Sequence, residues 1–190
     1  MIKELVIKNR SYRRFNEYET IKSEVLYELV DLARFTPSSV NFQPLRFKTV
    51  NDAENNLKVF ETLSWAGLLK DWNGPSEGER PSAYIIILTD LSVASNMKTD
   101  VGIAAQTIML GAAEKGIGGC MLGSIKREIL AESLGINLDR YSIDLVLALG
   151  IPAEEVRIVD IPENGATAYY RDENDVHCVP KRSLDDLIIQ

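Results

Sequence analysis

The sequence predicts an α+β or mixed α/β fold built as one domain over residues 1–190. Two uninterrupted apolar runs, residues 83–89 and 143–150, have the composition of buried strands. Helical patterns come first along the chain and then alternate with strand patterns, an order typical of these fold classes. The length of 190 residues is close to the usual size of a single domain.

The first third of the chain predicts three helices, a loop and a strand. From Ile21 to Ala33 the apolar residues recur with the helical period, and Pro37 disfavours helix in the residue before it. Asn51 or Asp52 can cap the third helix. The expected elements are a helix over 1–9, a helix over 20–35, a polar loop over 37–44, a strand over 47–50 and a helix reaching about residue 63.

Residues 97–115 carry the longest helical pattern, with small residues on more than one face. Small side chains allow close approach, so we expect a central buried helix whose neighbour can come from a second chain. The other elements expected here are a strand over 119–122, a helix over 126–134 ended by Gly135, a strand over 143–150, an extended segment over 154–162 and a polar tail over 171–190 ending in a capped helical turn.

The composition excludes several classes of function. With 21 Lys and Arg against 28 Asp and Glu, the net charge of −7 lacks the basic footprint of a nucleic-acid binder. One His and two Cys cannot supply a four-ligand zinc site made only of nitrogen and sulfur, and no other metal motif is present. No apolar run is long enough to span a bilayer, and the N-terminus is not a signal peptide. We therefore expect a cytoplasmic protein with reduced thiols and without membrane or nucleic-acid partners.

Two basic clusters stand out against this acidic average. Arg10 and Arg13 flank the hydroxyl of Ser11, and Lys181 and Arg182 form a second cluster near the C-terminus. Guanidinium groups and a hydroxyl suit phosphate oxygens. The alternative for the first cluster is a solvated turn paired with acids such as Glu17 and Glu19; for the second it is a surface charge pair.

Two further segments suggest a flat ligand. The loop over 37–44 holds two hydroxyls and two carboxamides, and carboxamides can match the edge of a heterocycle. Residues 116–123 are glycine-rich and allow backbone amides to approach a ring, although Met121 breaks the dinucleotide-binding pattern. The alternatives are a loop whose polar side chains satisfy their own backbone, and a helix cap followed by a turn.

Taken together, these segments resemble the nitroreductase family of flavoproteins. Residues 10–15 are similar to the family's R-S-x-R-x-F opening, residues 37–44 to its S-x-x-N-x-Q-P-W loop, and residues 180–184 to its C-terminal end. The resemblance implies an α+β fold with a mixed, mainly antiparallel sheet flanked by helices. It also implies an intertwined homodimer with FMN at the interface.

The resemblance also implies which residues contact FMN. Arg10, Ser11 and Arg13 would hold the phosphate and ribityl chain, joined from the C-terminal tail (171–190) by Lys181 and Arg182.

The remaining contacts implied by the resemblance are to the flavin. Pro37, Ser38 and Ser39 would reach it from the partner subunit, Asn41 would lie near the isoalloxazine, and Gln43 would support the loop or the flavin edge.

The resemblance further implies that the backbone of Gly118, Gly119 and Cys120 would pass along the flavin ring. Leu45 replaces the family's usual Trp, and residues 65–81 align with its variable, substrate-covering segment.

The activity implied is ping-pong reduction of nitroaromatics, quinones or similar electron-poor compounds with NADH or NADPH. The flavin carries the chemistry, so no protein group is assigned as catalytic. The alternatives are an FMN-dependent dehalogenase or oxidase of the same fold, a non-catalytic flavin-binding module, or a binding protein for another anionic ligand.

Overall fold

The computed structural model describes residues 1–69 and 72–189, and it contains a central antiparallel sheet between two layers of helices. The helices are α1 (Ile2–Lys8), α2 (Ser23–Arg34), α3 (Ala53–Phe60), α4 (Lys98–Glu114) and α5 (Arg127–Leu134). The strands are β1 (Phe15–Asn16), β2 (Leu45–Val50), β3 (Ala83–Asp90), β4 (Gly118–Leu122), β5 (Tyr141–Pro152), β6 (Val156–Asp160), β7 (Tyr170–Arg171) and β8 (His177–Lys181). The predicted α+β class is confirmed.

Strand β5 lies at the centre of the main sheet. It pairs with β3 on one side and with β4 on the other, while β2 extends the sheet beyond β3 and the short β1 pairs with the end of β5. All of these pairings are antiparallel. The apolar runs that predict buried strands are therefore the two central strands, which are covered on both faces.

Alternate residues of β3 enter two separate cores. Ile85 and Ile87 pack with α2 and α4, whereas Tyr84 and Ile86 face the opposite way and pack with α3 and α5. This period-two alternation is what a strand between two helical layers requires. A contiguous run of apolar residues thus supplies both cores at once.

One of the small residues of α4, Gly111, allows close packing against another helix of the same chain. A Cβ atom there would lie 2.4 Å from Leu32 Cδ1 of α2. Gly102, by contrast, is exposed and has no neighbouring atom within 4 Å. The close neighbour at Gly111 is therefore α2 of the same chain, and the face at Gly102 is open.

Local hydrogen bonds explain where two helices begin. Helix α2 starts at Ser23, later than the periodicity predicts, because Asn51 Nδ2 donates to the carbonyl of Ile21 at 2.9 Å and keeps that residue outside the helix. Helix α3 begins after Asp52, which caps it by accepting from the Asn55 amide at 2.9 Å.

The C-terminal region is more ordered than its polar composition predicts. Strands β6, β8 and β7 form a second sheet, in which β6 runs parallel to β8 and β7 antiparallel to it. His177, Cys178 and Pro180 are buried in β8. The sequence predicts a polar tail over 171–190 and does not reveal β8, because this strand is covered by its neighbours and shows no polar-apolar alternation. A capped turn does follow at 183–187, where Ser183 and Asp186 exchange hydrogen bonds.

Both cysteines are free, buried thiols. Within residues 1–69 and 72–189, no helix combines the length and apolar character needed to cross a bilayer.

The packing around β4 leaves no room for a side chain at Gly119, since a Cβ atom would lie 2.5 Å from the backbone oxygen of Ala148. We expect Gly119→Ala to lower the free energy of unfolding by about 1–3 kcal/mol. The matched control is Gly123→Ala, whose Cβ meets no atom within 4 Å and should change stability by less than about 0.5 kcal/mol. Urea unfolding of the two variants measures both values; equal stabilities would contradict this packing.

Candidate functional site

A cleft of about 370 Å³ lies where α4, the segment before β1, the edge of β4 and strand β8 meet. It is hereafter called the Arg10 cleft. Its lining residues are Asn9, Arg10, Ser11, Arg13, Gln106, Met109, Met121, Tyr169, His177, Val179 and Lys181. The structure therefore brings Arg10, Ser11 and Arg13, near one end of the chain, and Lys181, near the other, to one cleft.

The segment over residues 10–14 is held along β4 by its backbone. The amide of Tyr12 donates to the carbonyl of Gly119 at 2.9 Å, and Ser11 bridges the same glycine in a parallel sense. The buried carboxylate of Glu154 accepts hydrogen bonds from the amides of Arg13 and Arg14. The position of the arginines is thus set by the sheet edge and by one carboxylate.

Three cations at the cleft have no anionic partner in the described part of the chain. No carboxylate lies within 4 Å of the charged groups of Arg10, Arg13 or Lys181. Arg14, in contrast, pairs with Asp175 and, at 3.6 Å, with Glu79.

The nearby acids proposed as alternative partners for the first basic cluster are engaged elsewhere. Glu17 accepts from the amide of Gly78 at 2.6 Å, and Glu19 accepts from Asn16 Nδ2 at 2.8 Å. The uncompensated positive charge of the cleft therefore favours an anionic ligand.

Buried donors in the Arg10 cleft are also left without partners. Arg10 Nε, Arg13 Nε and His177 Nδ1 are buried and make no hydrogen bond to any residue that the structure describes. A buried polar group without a partner costs about 1–3 kcal/mol. All three residues line the Arg10 cleft, which favours a polar ligand there.

His177 is a site residue that the sequence does not reveal. Its Nε2 lies 2.9 Å from Arg13 Nη1, which can only donate, so the ring proton is assigned to Nδ1. Burial and the charge of Arg13 lower the pKa of His177 to about 4, so the ring is neutral at pH 7. Tyr169 also contacts Arg13: the centre of its ring lies 4.5 Å from the guanidinium carbon.

The two basic residues of the C-terminal cluster have different positions. Lys181 is the last residue of β8 and lines the Arg10 cleft. Arg182 follows the strand, is exposed and does not line the cleft. In one chain the structure therefore joins Arg10, Ser11, Arg13 and Lys181 but leaves Arg182 outside.

The loop over 37–43 does not reach the Arg10 cleft of the same chain. Pro37, Ser38 and Gln43 instead line another cleft, of about 280 Å³, near the start of α4. The Ser38 hydroxyl donates to Asp100 Oδ2 at 2.5 Å and accepts from the Gln43 amide at 2.9 Å. Asp100 also accepts from the hydroxyl and amide of Ser39, at 3.0 and 3.2 Å. The serine hydroxyl protons are thus used to hold the loop.

This loop has unusual backbone conformations. Val40, Asn41 and Gln43 all have positive φ, at 51°, 58° and 51°. Such conformations are uncommon for residues other than glycine, above all for a β-branched residue. The side chains of Asn41 and Gln43 are exposed, while Asp100 is 2% exposed. The buried carboxylate therefore fixes a strained loop that presents two carboxamides to the surface.

The glycine-rich segment is filled by the chain's own atoms. A Cβ atom at Gly118 would lie 2.6 Å from both Tyr12 and Pro152, and one at Gly119 would lie 2.9 Å from Met109. Cys120 is 3% exposed, and burial raises the pKa of its thiol. The residue of β4 that lines the Arg10 cleft is Met121.

Comparison with known proteins gives the family. The sequence profile described as the nitroreductase family matches residues 6–151. The chain belongs to the nitroreductase family. It is 25% identical over 185 residues, 80% of this chain and 88% of the relative, to YdgI of Bacillus subtilis, which is provisionally named an NAD(P)H nitroreductase.

Solved structures share the fold. A nitroreductase-type protein of Desulfovibrio desulfuricans in complex with FMN has a TM-score of 0.72 at 20% identity, with 100% of this chain and 95% of that chain covered. A nitroreductase family protein of Streptococcus pneumoniae also has a TM-score of 0.72, at 16% identity and 100% coverage of both chains. The profile match ends at residue 151, so β8, which brings His177 and Lys181 to the cleft, lies beyond it.

We expect Asp100→Asn to lower the free energy of unfolding by about 1.5–3 kcal/mol at pH 7, because the hydrogen bonds to its charge weaken. Burial raises the pKa of Asp100, but the hydrogen bonds from Ser38 and Ser39 outweigh it, and the pKa is lowered. This stabilisation is present above the usual Asp pKa of about 3.9 and is lost as pH falls through the lower folded-state value.

Urea unfolding between pH 7 and pH 3 measures this difference. The exposed Asp31→Asn, which loses only a surface pair with Arg34, is the control and should cost less than about 1 kcal/mol. An Asp100 variant as stable as the control at pH 7 would show that the carboxylate does not hold the loop.

Proposed function

We propose that this protein is an FMN-dependent oxidoreductase that uses NADH or NADPH to reduce nitroaromatics, quinones or similar electron-poor compounds by a ping-pong mechanism. The observation that carries the proposal is the convergence of Arg10, Arg13 and Lys181, none paired with a carboxylate in the described residues, on one cleft with unpartnered buried donors. Family membership supports it, as do the FMN complexes of the nitroreductase-type proteins from Desulfovibrio desulfuricans and Exiguobacterium sibiricum.

In this proposal the Arg10 cleft holds the phosphate end of FMN. Arg10, Ser11 and Arg13 donate to the phosphate, and Lys181 adds charge from β8; Arg182, exposed just beyond the strand, is the outermost proposed contact. The neutral His177 holds the Arg13 guanidinium through Nε2. Guanidinium groups suit this role because their planar donors match phosphate oxygens in pairs.

The flavin ring would then lie along the β4 side of the cleft. Met109 and Met121 offer apolar contact there. We propose that the backbone over Gly118–Cys120 supports this wall from behind, since the chain's own side chains occupy the space beside both glycines.

We propose that the loop over 37–43 completes the site from the partner subunit of a homodimer. Within one chain this loop lines a different cleft, and neither Asn41 nor Gln43 lines the Arg10 cleft. Apolar surface is available for such an interface: Ile2, Val6 and Ile7 of α1 are all exposed. Three exposed apolar residues on one short helix favour an interaction surface there.

The chain's own residues would bind, orient and exclude water rather than react. FMN, when bound, supplies the redox chemistry by accepting a hydride from a nicotinamide and passing electrons to the acceptor. That the segment over 65–81 covers the substrate stays a prediction. Trp65 of this segment is 8% exposed and packs into the α3/α5 core. Residues 70 and 71 lie outside the described residues.

The phosphate assignment is tested by measuring FMN affinity. We expect Arg10→Ala, Arg13→Ala and Lys181→Ala each to raise the Kd for FMN by about 10-fold to 100-fold, because each removes a charged donor. Absorbance near ~450 nm and fluorescence titration measure occupancy and Kd. Arg157→Ala is the matched control, since Arg157 is exposed, pairs with Glu155 and does not line the cleft. Full flavin occupancy in all three cleft variants would rule out this phosphate site.

Turnover is tested separately. We expect anaerobic NADH or NADPH to bleach the flavin absorbance, and a nitroaromatic or quinone to restore it. A yellow protein that neither nicotinamide reduces would instead be a non-catalytic flavin-binding module. Reduction without turnover of these acceptors would favour the dehalogenase or oxidase alternative.

A further inference from the structure

A third cavity, of about 190 Å³, lies between α3, the segment after β1 and the chain leading into β3. We call it the Tyr84 pocket. It shares no lining residue with the Arg10 cleft. The Tyr84 side chain packs with the α3/α5 core, whereas Met109 of the Arg10 cleft packs with the α2/α4 core. The two cavities are therefore on opposite faces of the main sheet.

Three residues that line this pocket carry buried polar atoms without a hydrogen-bond partner in the described residues. Tyr84 is fully buried and Ser82 is 3% exposed, and the hydroxyls of both lack a hydrogen bond within residues 1–69 and 72–189. Asn56 donates through Nδ2 to the Ser82 carbonyl at 2.8 Å, but its buried Oδ1 has no partner in the same part of the chain. Residues of the Arg10 cleft likewise carry buried polar atoms without partners in the described residues. A polar occupant is therefore indicated, because a buried hydroxyl or amide oxygen is normally hydrogen-bonded.

The pocket also contains one charge of each sign. Arg80 has no carboxylate within 4 Å among the described residues, its Nε is buried without a partner, and its guanidinium carbon lies 4.9 Å from the centre of the Phe60 ring. Glu17 uses Oε2 to accept from the amides of Gly78 and Arg80, while Oε1 accepts nothing in residues 1–69 and 72–189. A ligand that carries both charges would pair with both groups.

These donors and acceptors define a ligand class. Arg80, Tyr84 and Ser82 can donate to a carboxylate, and burial, followed by the charge of Glu17, raises the pKa of Tyr84, so its hydroxyl remains a donor. Glu17 and Asn56 Oδ1 can accept from an ammonium group. The apolar part of the wall is formed by Ala53, Leu57, Phe60 and Pro81, and the polar residues Thr20 and Asn51 complete the lining.

We propose that the Tyr84 pocket binds a free α-amino acid with a small aliphatic side chain. The carboxylate lies toward Arg80 and Tyr84, the ammonium group toward Glu17, and the side chain against Leu57 and Phe60. This site is independent of the proposed flavin chemistry, since it uses the opposite face of the sheet.

The test is calorimetric titration of the full chain, loaded with FMN, with L-valine. Isovalerate, which lacks the ammonium group, and isobutylamine, which lacks the carboxylate, separate the contributions of the two charges. We expect one valine per chain, a rise in Tm with valine concentration, and at least about 10-fold weaker binding of either analogue.

Variants locate the site. Tyr84→Phe removes only the unpartnered hydroxyl, so it should fold, keep its FMN content and weaken valine binding by about 10-fold or more. Ser82→Ala should act in the same direction. Tyr27→Phe, an exposed tyrosine of α2, is the control and should bind valine as the parent chain does.

Several results would overturn the proposal. Valine at about 10 mM that gives neither heat nor a Tm shift would do so. If isovalerate binds as tightly as valine, the ammonium group contributes nothing and the ligand is a simple anion rather than an amino acid. A crystal structure grown with valine that shows only ordered water in the pocket, or unchanged valine affinity in both Tyr84→Phe and Ser82→Ala, would also overturn it. Each of these outcomes can be read while FMN binding is intact.

Discussion

The Arg10 cleft depends on the hydrogen bonds and the ion pair made by one buried carboxylate, that of Glu154. It follows the central strand β5, accepts from the amides of Arg13 and Arg14, and pairs with Arg171 of β7 at 2.6 Å. Its side chain is 3% exposed, so its charge is stabilised almost entirely by these donors. One group thus fixes the N-terminal segment against the main sheet and joins the C-terminal sheet to both.

This arrangement sorts the arginines by role. Arg14 and Arg171 are neutralised by carboxylates, while Arg10 and Arg13 keep their charge for the cleft. A protein with a net charge of −7 therefore presents a locally positive site. Because Arg13 is buried beside a neutral histidine, a bound anion would interact with its charge more strongly than with a charge at an exposed surface.

A second buried carboxylate organises the other candidate segment. Asp100, in the first turn of α4, holds the loop over 37–43 through Ser38 and Ser39, just as Glu154 holds the arginine segment. Helix α4 connects the two regions, since Gln106 and Met109 line the Arg10 cleft. In the proposed dimer, each flavin would depend on both carboxylates, one from each chain. The reactive chemistry would then come from the cofactor, which agrees with the scarcity of reactive side chains.

The sequence by itself determined the five helices, four strands of the main sheet including the two central ones, the end of α5 at Gly135, and the segments that resemble the nitroreductase family. These features depend on local periodicity and turn chemistry, which neighbouring residues encode. Only the tertiary structure decided which groups have partners. Arg13 meets His177 across 164 positions of the sequence, and Ser38 meets Asp100 across 62. The space beside Gly118 and Gly119, the burial of β8 and the position of Arg182 are likewise set by contacts between distant segments. No local pattern records such contacts, because they form only when the sheet and its two helical layers assemble.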